Sequence, residues 1–345
     1  MKVLVTGGAG YIGSHAVKAL VERGHSVAVV DNLYRGHRQA VHPQATFYSI
    51  DVSDTAGLVR VVRQEKVECV MHFAALAYVA ESVTQPLSYY ANNTAGTISL
   101  LRAMDETGVR QLVFSSTCAT YGEPENVPIV ETTPQRPINP YGWSKWCVEQ
   151  VLRDYAAAEP RFGFVSLRYF NVAGCAADGS LGEDHDPETH LIPVVLQAAL
   201  GRRDKVVVFG TDYPTPDGTC IRDYIHVDDL VDAHLVAMEA LAPGQKRFYN
   251  LGIGRGYSVR EVIEAACEVT GRQIPVEYGP RRPGDPAILY ADASRIRAEL
   301  GWKPRYTEIR DIVQTAWNWF RVHPYGYGPP RPSDRPAVGS RGGAR

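Results

Sequence analysis

Glycines at positions 7, 10 and 13, directly behind the apolar run Val3-Leu4-Val5, constrain the fold of this chain more than any other stretch. The apolar run reads as a short buried strand. After the glycines, Ile12, Ala16, Val17, Leu20 and Val21 recur at helical spacing, and Gly24 falls where a helix C-cap belongs. A second apolar run, Val27 to Val30, ends in Asp31. Strand, glycine turn, helix and distal acid together suit a dinucleotide. Gly7 permits the sharp turn, Gly10 lets the backbone approach a pyrophosphate, and Gly13 lets helix and strand pack closely. The helix N-terminus then faces the anion. A carboxylate at Asp31 accepts hydrogen bonds from an adenosine ribose and repels a 2′-phosphate, so NAD is expected rather than NADP. The competing reading is a tight turn with no ligand.

The 345 residues suffice for one large or two ordinary domains with a sizeable core. Formal net charge is −2 and no basic block stands out, which argues against nucleic-acid or membrane-surface partners. No apolar run is long enough to span a bilayer. The chain enters its first strand at once, without a charged leader and apolar cleavage segment. The six cysteines are scattered and none forms a C-x-x-C pair. A cytoplasmic protein with reduced, mostly buried thiols is expected.

Further strands are expected at Thr46 to Asp51, Glu68 to Phe73 and Gln111 to Ser116, and helices at Ala56 to Gln64 and Pro86 to Thr107. Strand and helix alternate, which predicts an α/β fold: a Rossmann-type, doubly wound parallel sheet with helices on both faces. Ligands in such sheets lie beyond the strand C-termini, where Gly7, Asp31, Asp51, Phe73 and Thr117 fall. Small Ala74 and Ala75 would let a cofactor lie close to the backbone. After Asn171 the pattern changes to short strands (Val206 to Phe209, Ile274 to Tyr278) and helices (Val194 to Leu200, Ser258 to Thr270). This predicts a smaller C-terminal α/β substrate domain from 172–222 and 252–323. Residues 1–171 form the first domain, and 223–251 return to it as a helix and a strand. Residues 324–345, rich in Pro, Gly, Arg and Ser, are expected to be a disordered tail.

Tyr141 and Lys145 follow Pro140, and a spacing of four places them on one helical face. A tyrosine titrates near ~10, so service as a base near neutrality needs about 4 kcal/mol of phenolate stabilisation. A nearby ammonium and a hydroxyl donor can supply it, and Thr117 at the end of the fifth strand is the natural donor. With 19 tyrosines one chance pairing is expected. The order of glycine turn, Ser115-Ser116-Thr117 strand end and Tyr-x-x-x-Lys helix is much harder to reach by accident.

These residues resemble the extended short-chain dehydrogenases/reductases, and within them the UDP-glucose (UDP-galactose) 4-epimerases. The likeness runs from Lys2 to about Tyr327. Its landmarks include Asp31-Asn32-Leu33, His72-Phe73-Ala74-Ala75, Phe114-Ser115-Ser116-Thr117 and Leu167-Arg168-Tyr169-Phe170-Asn171. In the second half they include Arg222-Asp223-Tyr224-Ile225-His226 and Arg281-Arg282-Pro283-Gly284-Asp285. Thr117 to Pro124 and Ile138 to Tyr141 are particularly similar to the branch that includes UDP-xylose/UDP-arabinose 4-epimerases.

The resemblance implies that Tyr141 takes the sugar O4 proton, Lys145 lowers the tyrosine and holds the nicotinamide ribose, and Thr117 bonds the O4 proton path. Hydride passes from C4 to NAD and returns to the other face of a 4-keto sugar. Cofactor contacts are implied for Gly7, Gly10, Tyr11, Ile12, Gly13, Asp31 and Asn32. Asp51, Val52, Phe73, Ala74, Ala75, Asn92, Ser115 and Phe170 match further cofactor positions, beside Tyr141 and Lys145. UDP-sugar contacts are implied for Asn171, His190, Leu191, Phe209, Arg222, Arg282 and Asp285, with Thr117 and Tyr141 at the sugar. The arginines suit a diphosphate because guanidinium binds it bidentately. Leu289 stands where relatives screen 2-acetamido groups. A lysine four residues after the Phe73 position in many relatives is Ala77 here, and His190 replaces an asparagine. The resemblance also implies a homodimer packed through Pro86 to Thr107 and Trp143 to Ala157.

Sibling enzymes bound the alternatives. Nucleotide-sugar dehydratases need a further acid and base, and place Asp-Glu directly after the Thr117 position; here Cys118-Ala119 follow. The glutamate of UDP-glucuronate decarboxylases is likewise absent. A simple reductase and a non-catalytic NAD-binding regulator are the other readings. The run Glu183-Asp184-His185-Asp186, with Glu188 and His190, fits no metal motif and reads as a solvated loop near the substrate. No metal is expected. His226 with Asp228-Asp229 reads as a structural hydrogen bond at a helix start.

Overall fold

The architecture follows from strands that are apolar on both faces. The computed structural model describes residues 1–282 and 285–329. The expected tail at 330–345 and Pro283-Gly284 lie outside the described residues. Strand β1 (Lys2–Thr6) pairs in parallel with β2 (Ser26–Asp31) and with β4 (Cys69–His72). Beyond β2 lies β3 (Thr46–Ser49); beyond β4 lie β5 (Gln111–Ser115), β6 (Gly163–Tyr169) and then Lys246–Leu251. The seven strands are all parallel. The order reverses at β1, between β2 and β4, where a doubly wound sheet opens a crevice at its strand ends.

Both sheet faces are covered. Val3, Val5, Val29 and Met71 point to one side, against Ala16, Val17 and Leu20 of α1 (Tyr11–Glu22) and Leu230, Val231 and Leu235 of helix Val227–Glu239. Leu4, Ala28 and Val30 point to the other, against Leu58 and Val62 of α2 (Thr55–Glu65) and against Leu100 and Leu152. That is why these strands read as unbroken apolar runs. A second core, with Ile192, Leu196, Val206, Val262, Ile312 and Trp319, holds the C-terminal elements.

Three local readings change. Pro86 to Thr107 is helical throughout but not uniform: a π segment, Tyr90–Ala95, lies between Pro86–Tyr89 and Gly96–Thr107. The wider turn goes with Asn93, whose amide bonds both backbone groups of Leu76 (2.8 and 2.9 Å) and the Ser144 hydroxyl (3.0 Å). Asp223 does not begin a helix. Its carboxylate accepts from Ile253, Gly254 and Ala291 backbone N–H groups, and Tyr224–His226 forms a strand beside Asn171–Ala173 before helix Val227–Glu239 starts. Residues 324–329 are packed rather than loose: Tyr327 donates its N–H to Asp184 (2.9 Å), and its ring lies against Trp319 and His37. Among the described residues no helix is long and apolar enough to cross a membrane.

Candidate active site

The glycine turn is built for close approach. Gly7 takes φ +73°, and a Cβ there would meet the Ala74 backbone at 2.5 Å. A Cβ on Gly13 would overlap the Gly7 carbonyl oxygen, whereas Gly10 has only that oxygen near, at 3.4 Å. The turn therefore offers bare backbone beside the first helical residues, as a pyrophosphate requires. Tyr11 anchors the far side: its hydroxyl donates to the Gly174 carbonyl at 2.5 Å, and Ile12 packs into the core. Asp31 accepts from Ala9 N (3.0 Å) and Leu33 N (2.8 Å), which pins the loop after β2 around the turn. Asp51 accepts from Ser53 and, at 2.7 Å, from the Asn32 amide, so these two polar side chains form one wall beyond β2 and β3. Val52 is buried against Gly96, and Asn92 sits in the π segment with its amide on Asn93. The backbone N–H groups of Phe73 and Ala74 both donate to the Thr6 carbonyl, and Ala75 follows them half-buried.

Beyond β5 the chain brings Thr117, Tyr141 and Lys145 together. Asn139 caps helix Pro140–Ala158, accepting from Gly142 N at 2.8 Å, and Pro140 occupies its first turn. The buried Lys145 ammonium donates to the Ser115 carbonyl at 2.8 Å and lies 4.9 Å from the Phe114 ring centre. Burial lowers its pKa to about 7. Burial also pushes the Tyr141 phenol well above its ordinary value, and Tyr169 adds to this; a hydrogen bond with Thr117 opposes it. In the protein alone the phenol is thus raised, the reverse of the expected lowering, because desolvation dominates. Thr117 is buried and caps the turn at Cys118–Thr120 through Ala119 N (3.1 Å). The Ser115 hydroxyl meets the Tyr169 hydroxyl.

Sequence reasoning missed the support beneath this group. Glu149, fully buried, receives Arg168 through two bonds (2.9 and 2.6 Å) and the hydroxyls of Ser116 (2.7 Å) and Ser166 (3.0 Å). Arg168 also donates to Tyr121 (2.8 Å), which donates to Asn250 (2.6 Å). Burial alone would raise Glu149, and the Arg168 bonds and charge outweigh it, leaving the carboxyl below its ordinary value. The available signal was an acid on the buried face of the helix, four residues after Lys145.

The C-terminal elements supply the rest. Leu289, on the two-residue strand Ile288–Leu289, pairs with Arg222 and packs on the cluster of Tyr121, Phe170 and Cys118 beside Thr117. Arg222 bonds Asp285 at 2.5 Å, and the Arg282 guanidinium lies 3.9 Å from the Phe209 ring centre. Asn171 starts the strand paired with Tyr224. His190 and Leu191 open helix Leu191–Ala199, but His190 turns Nδ1 to Glu183 and Glu188, each at 2.9 Å. The run 183–190 is no solvated loop: Glu183 and Glu188 are 3% and 7% exposed. They are held by His185 and His190, which the charge pattern alone does not reveal. His226 does cap its helix, accepting from Asp228 N at 3.0 Å.

The chain is similar to known proteins over nearly its whole length. Residues 3–252 match the NAD dependent epimerase/dehydratase family. A UDP-glucose 4-epimerase of Lacticaseibacillus casei is 52% identical over 329 residues, 95% of this chain and 99% of that protein. A solved UDP-glucose 4-epimerase structure superposes with a TM-score of 0.92 at 51% identity, covering 95% of this chain and 100% of the other. The Bifidobacterium longum UDP-glucose 4-epimerase, solved in complex with NAD+ and UDP, has a TM-score of 0.91 at 42% identity, covering 95% and 100%. By sequence and by fold, this chain belongs to the NAD dependent epimerase/dehydratase family.

Proposed function

We propose that this chain is an NAD-dependent UDP-sugar 4-epimerase that interconverts UDP-glucose and UDP-galactose through a transient 4-keto sugar. The observation that carries the reading is the meeting of Thr117, Tyr141 and Lys145 at the end of β5, on the same strand-end edge of the sheet as the glycine turn, with no second acid or base next to Thr117 in sequence. Cys118 stands there instead, and burial pushes its thiol up to about 12. A dehydratase has nothing at this position to eliminate water with.

When bound, NAD supplies a hydride acceptor for C4 and gives the hydride back in the second half of the turnover. The residues present fit it: bare backbone at Gly7, Gly10 and Gly13, the Asp31 carboxylate at the end of β2, and the Asp51–Asn32 pair. Tyr141 removes the O4 proton, with Thr117 bonding the same hydroxyl. Lys145 charges fully when it gains hydrogen-bond acceptors, and its charge then stabilises the phenolate that burial disfavours. Arg222 and Arg282 hold the diphosphate, aided by Asp285, Phe209, His190, Leu191 and Asn171. The 4-keto sugar, tethered only through its diphosphate, turns over between the two hydride steps, with Leu289 beside it. Residues 172–222 and 252–323 make the UDP-sugar-binding unit, and 1–171 with 223–251 the NAD-binding unit.

We place the protein in the cytoplasm, as a homodimer. Leu87 is 82% exposed, and Tyr90 and Trp143 are exposed on the two helical segments through which we expect two copies to pack. Sedimentation at micromolar concentration showing only monomer would refute the dimer. The function is tested by giving purified protein UDP-galactose, or UDP-xylose, without added NAD and following anomeric protons by NMR. Formation of UDP-glucose supports the reading, and the ratio of rates sets hexose against pentose. No conversion by protein shown to contain NAD sinks it.

A further inference from the structure

The segment 183–190 gathers imidazole and carboxylate donors in one place. Glu183, His185, Glu188 and His190 each turn one ligand atom inward, and the four atoms lie within 4.8 Å of one another. Both imidazoles present Nδ1 to the carboxylates. The His185 nitrogen lies 3.1 Å from Glu183 and 3.7 Å from Glu188; the His190 nitrogen lies 2.9 Å from each. Four ligands held tetrahedrally at 2.0–2.1 Å from a zinc ion stand roughly 3.3 Å apart. The nitrogen–oxygen separations, 2.9–3.7 Å, bracket that value, with Glu188 offering Oε1 to His190 and Oε2 to His185.

Two further observations point to a guest. Among the described residues the ion pairs of Glu183 and Glu188 are with these two histidines alone. The backbone N–H groups of Thr189 and His190 also bond Glu188 (2.8 and 2.9 Å), but two nearly buried carboxylates side by side still call for compensating charge. Two imidazolium ions could supply them, or one dication could bond all four donors at once. Tyr78 supplies the second observation. It is 9% exposed, its ring stands 5.9 Å from His185 and 6.0 Å from His190, and its buried hydroxyl lacks a hydrogen-bond partner. Arg35 stacks on that ring at 4.2 Å rather than bonding the hydroxyl with good geometry. A water on a bound metal would give the phenol its partner. Entry is open: a cavity of about 320 Å³ reaches Glu183, His185 and Glu188 from the side of Gln197 and Arg203.

We propose that Glu183, His185, Glu188 and His190 form a four-coordinate site for a divalent transition metal of the zinc class. Mixed imidazole and carboxylate donors suit zinc, whereas magnesium and calcium take oxygen ligands. The ion would tie the loop before helix Leu191–Ala199 to its first turn and, through the His185–Tyr11 ring contact, to the helix behind the glycine turn. His190 would still present Nε2 outward. His190 is shared with the diphosphate set of the proposed function, but the metal site rests on its four donors and not on that reading.

The test uses the full chain with its cofactor and without an affinity tag, stripped by a chelator and titrated with zinc chloride alone, then with cobalt(II). Saturable binding of one zinc per chain is expected, together with the strong visible bands of four-coordinate cobalt and a rise in melting temperature. His185→Ala should weaken zinc at least ~10-fold and abolish the cobalt bands while the far-UV circular dichroism stays native. If that variant fails to fold, Glu188→Gln carries the same expectation. Wild-type protein that shows no saturable one-to-one zinc binding, or a variant that binds as tightly as wild type, overturns the proposal and leaves a histidine–glutamate ion network.

Discussion

Lys145 donates a hydrogen bond from its ammonium to the carbonyl oxygen of Ser115, the residue that ends β5, at 2.8 Å. A cation in this place serves two functions. It ties the catalytic helix to the strand end, and it stores a charge that burial has brought to a pKa of about 7.

Stability should therefore depend on pH through this lysine. Its folded pKa lies below its unfolded value near ~10.4, so the folded state carries a penalty that is complete below pH ~7 and vanishes above ~10.4. The penalty therefore grows, and stability falls, as pH drops through that window. Lys145→Met should flatten the slope and raise the melting temperature of NAD-free protein at pH 7 by several degrees, while turnover collapses. Calorimetry between pH 6.5 and 9.5 checks this; an unchanged slope would remove Lys145 as its source.

Tyr141→Phe removes the proposed base and little else. Turnover should fall ~10²–10⁴-fold, the range for a positioned acid–base group, with NAD still bound after purification. Parallel assays of epimerisation and of NAD released on denaturation distinguish lost chemistry from lost cofactor.

The Glu149–Arg168 pair should be costly to break and cheap to replace whole. Glu149→Gln leaves a buried guanidinium underpaired, and a loss of ~3–5 kcal/mol is expected in urea unfolding. The double change Glu149→Leu with Arg168→Met should recover much of it. Because Glu149 is held below its ordinary pKa, its contribution is present at neutral pH and is lost as pH falls through the folded value. Equal stability of the single and double variants would contradict the coupling.

Two glycines test the turn. Gly13→Ala puts a Cβ onto the Gly7 carbonyl, so the helix must move away, at ~1–3 kcal/mol and with loss of retained NAD. Gly24→Ala has open space but φ +82°, and should cost ~1–2 kcal/mol with NAD intact. Measuring NAD per chain alongside the melting temperature tells a cofactor role from a backbone role.

What the sequence determined by itself was everything governed by local spacing. Apolar runs bounded by glycine and acid gave the sheet, because a strand buried on both faces has no polar positions to spare. A glycine triplet before a helical period gave the turn, and Pro140 with a spacing of four put Tyr141 and Lys145 on one face. Tertiary structure decided what depends on burying charge. Asn93 bridges Leu76 and Ser144 from a π segment that no periodicity encodes. Glu149 and Arg168, on a helix and a strand, find each other because neither charge survives burial alone. The acids of 183–190, which read as solvated in sequence, were drawn inward by His185 and His190 for the same reason. Periodicity is a property of neighbours along the chain, whereas charge compensation is settled only between residues that the fold has already brought together.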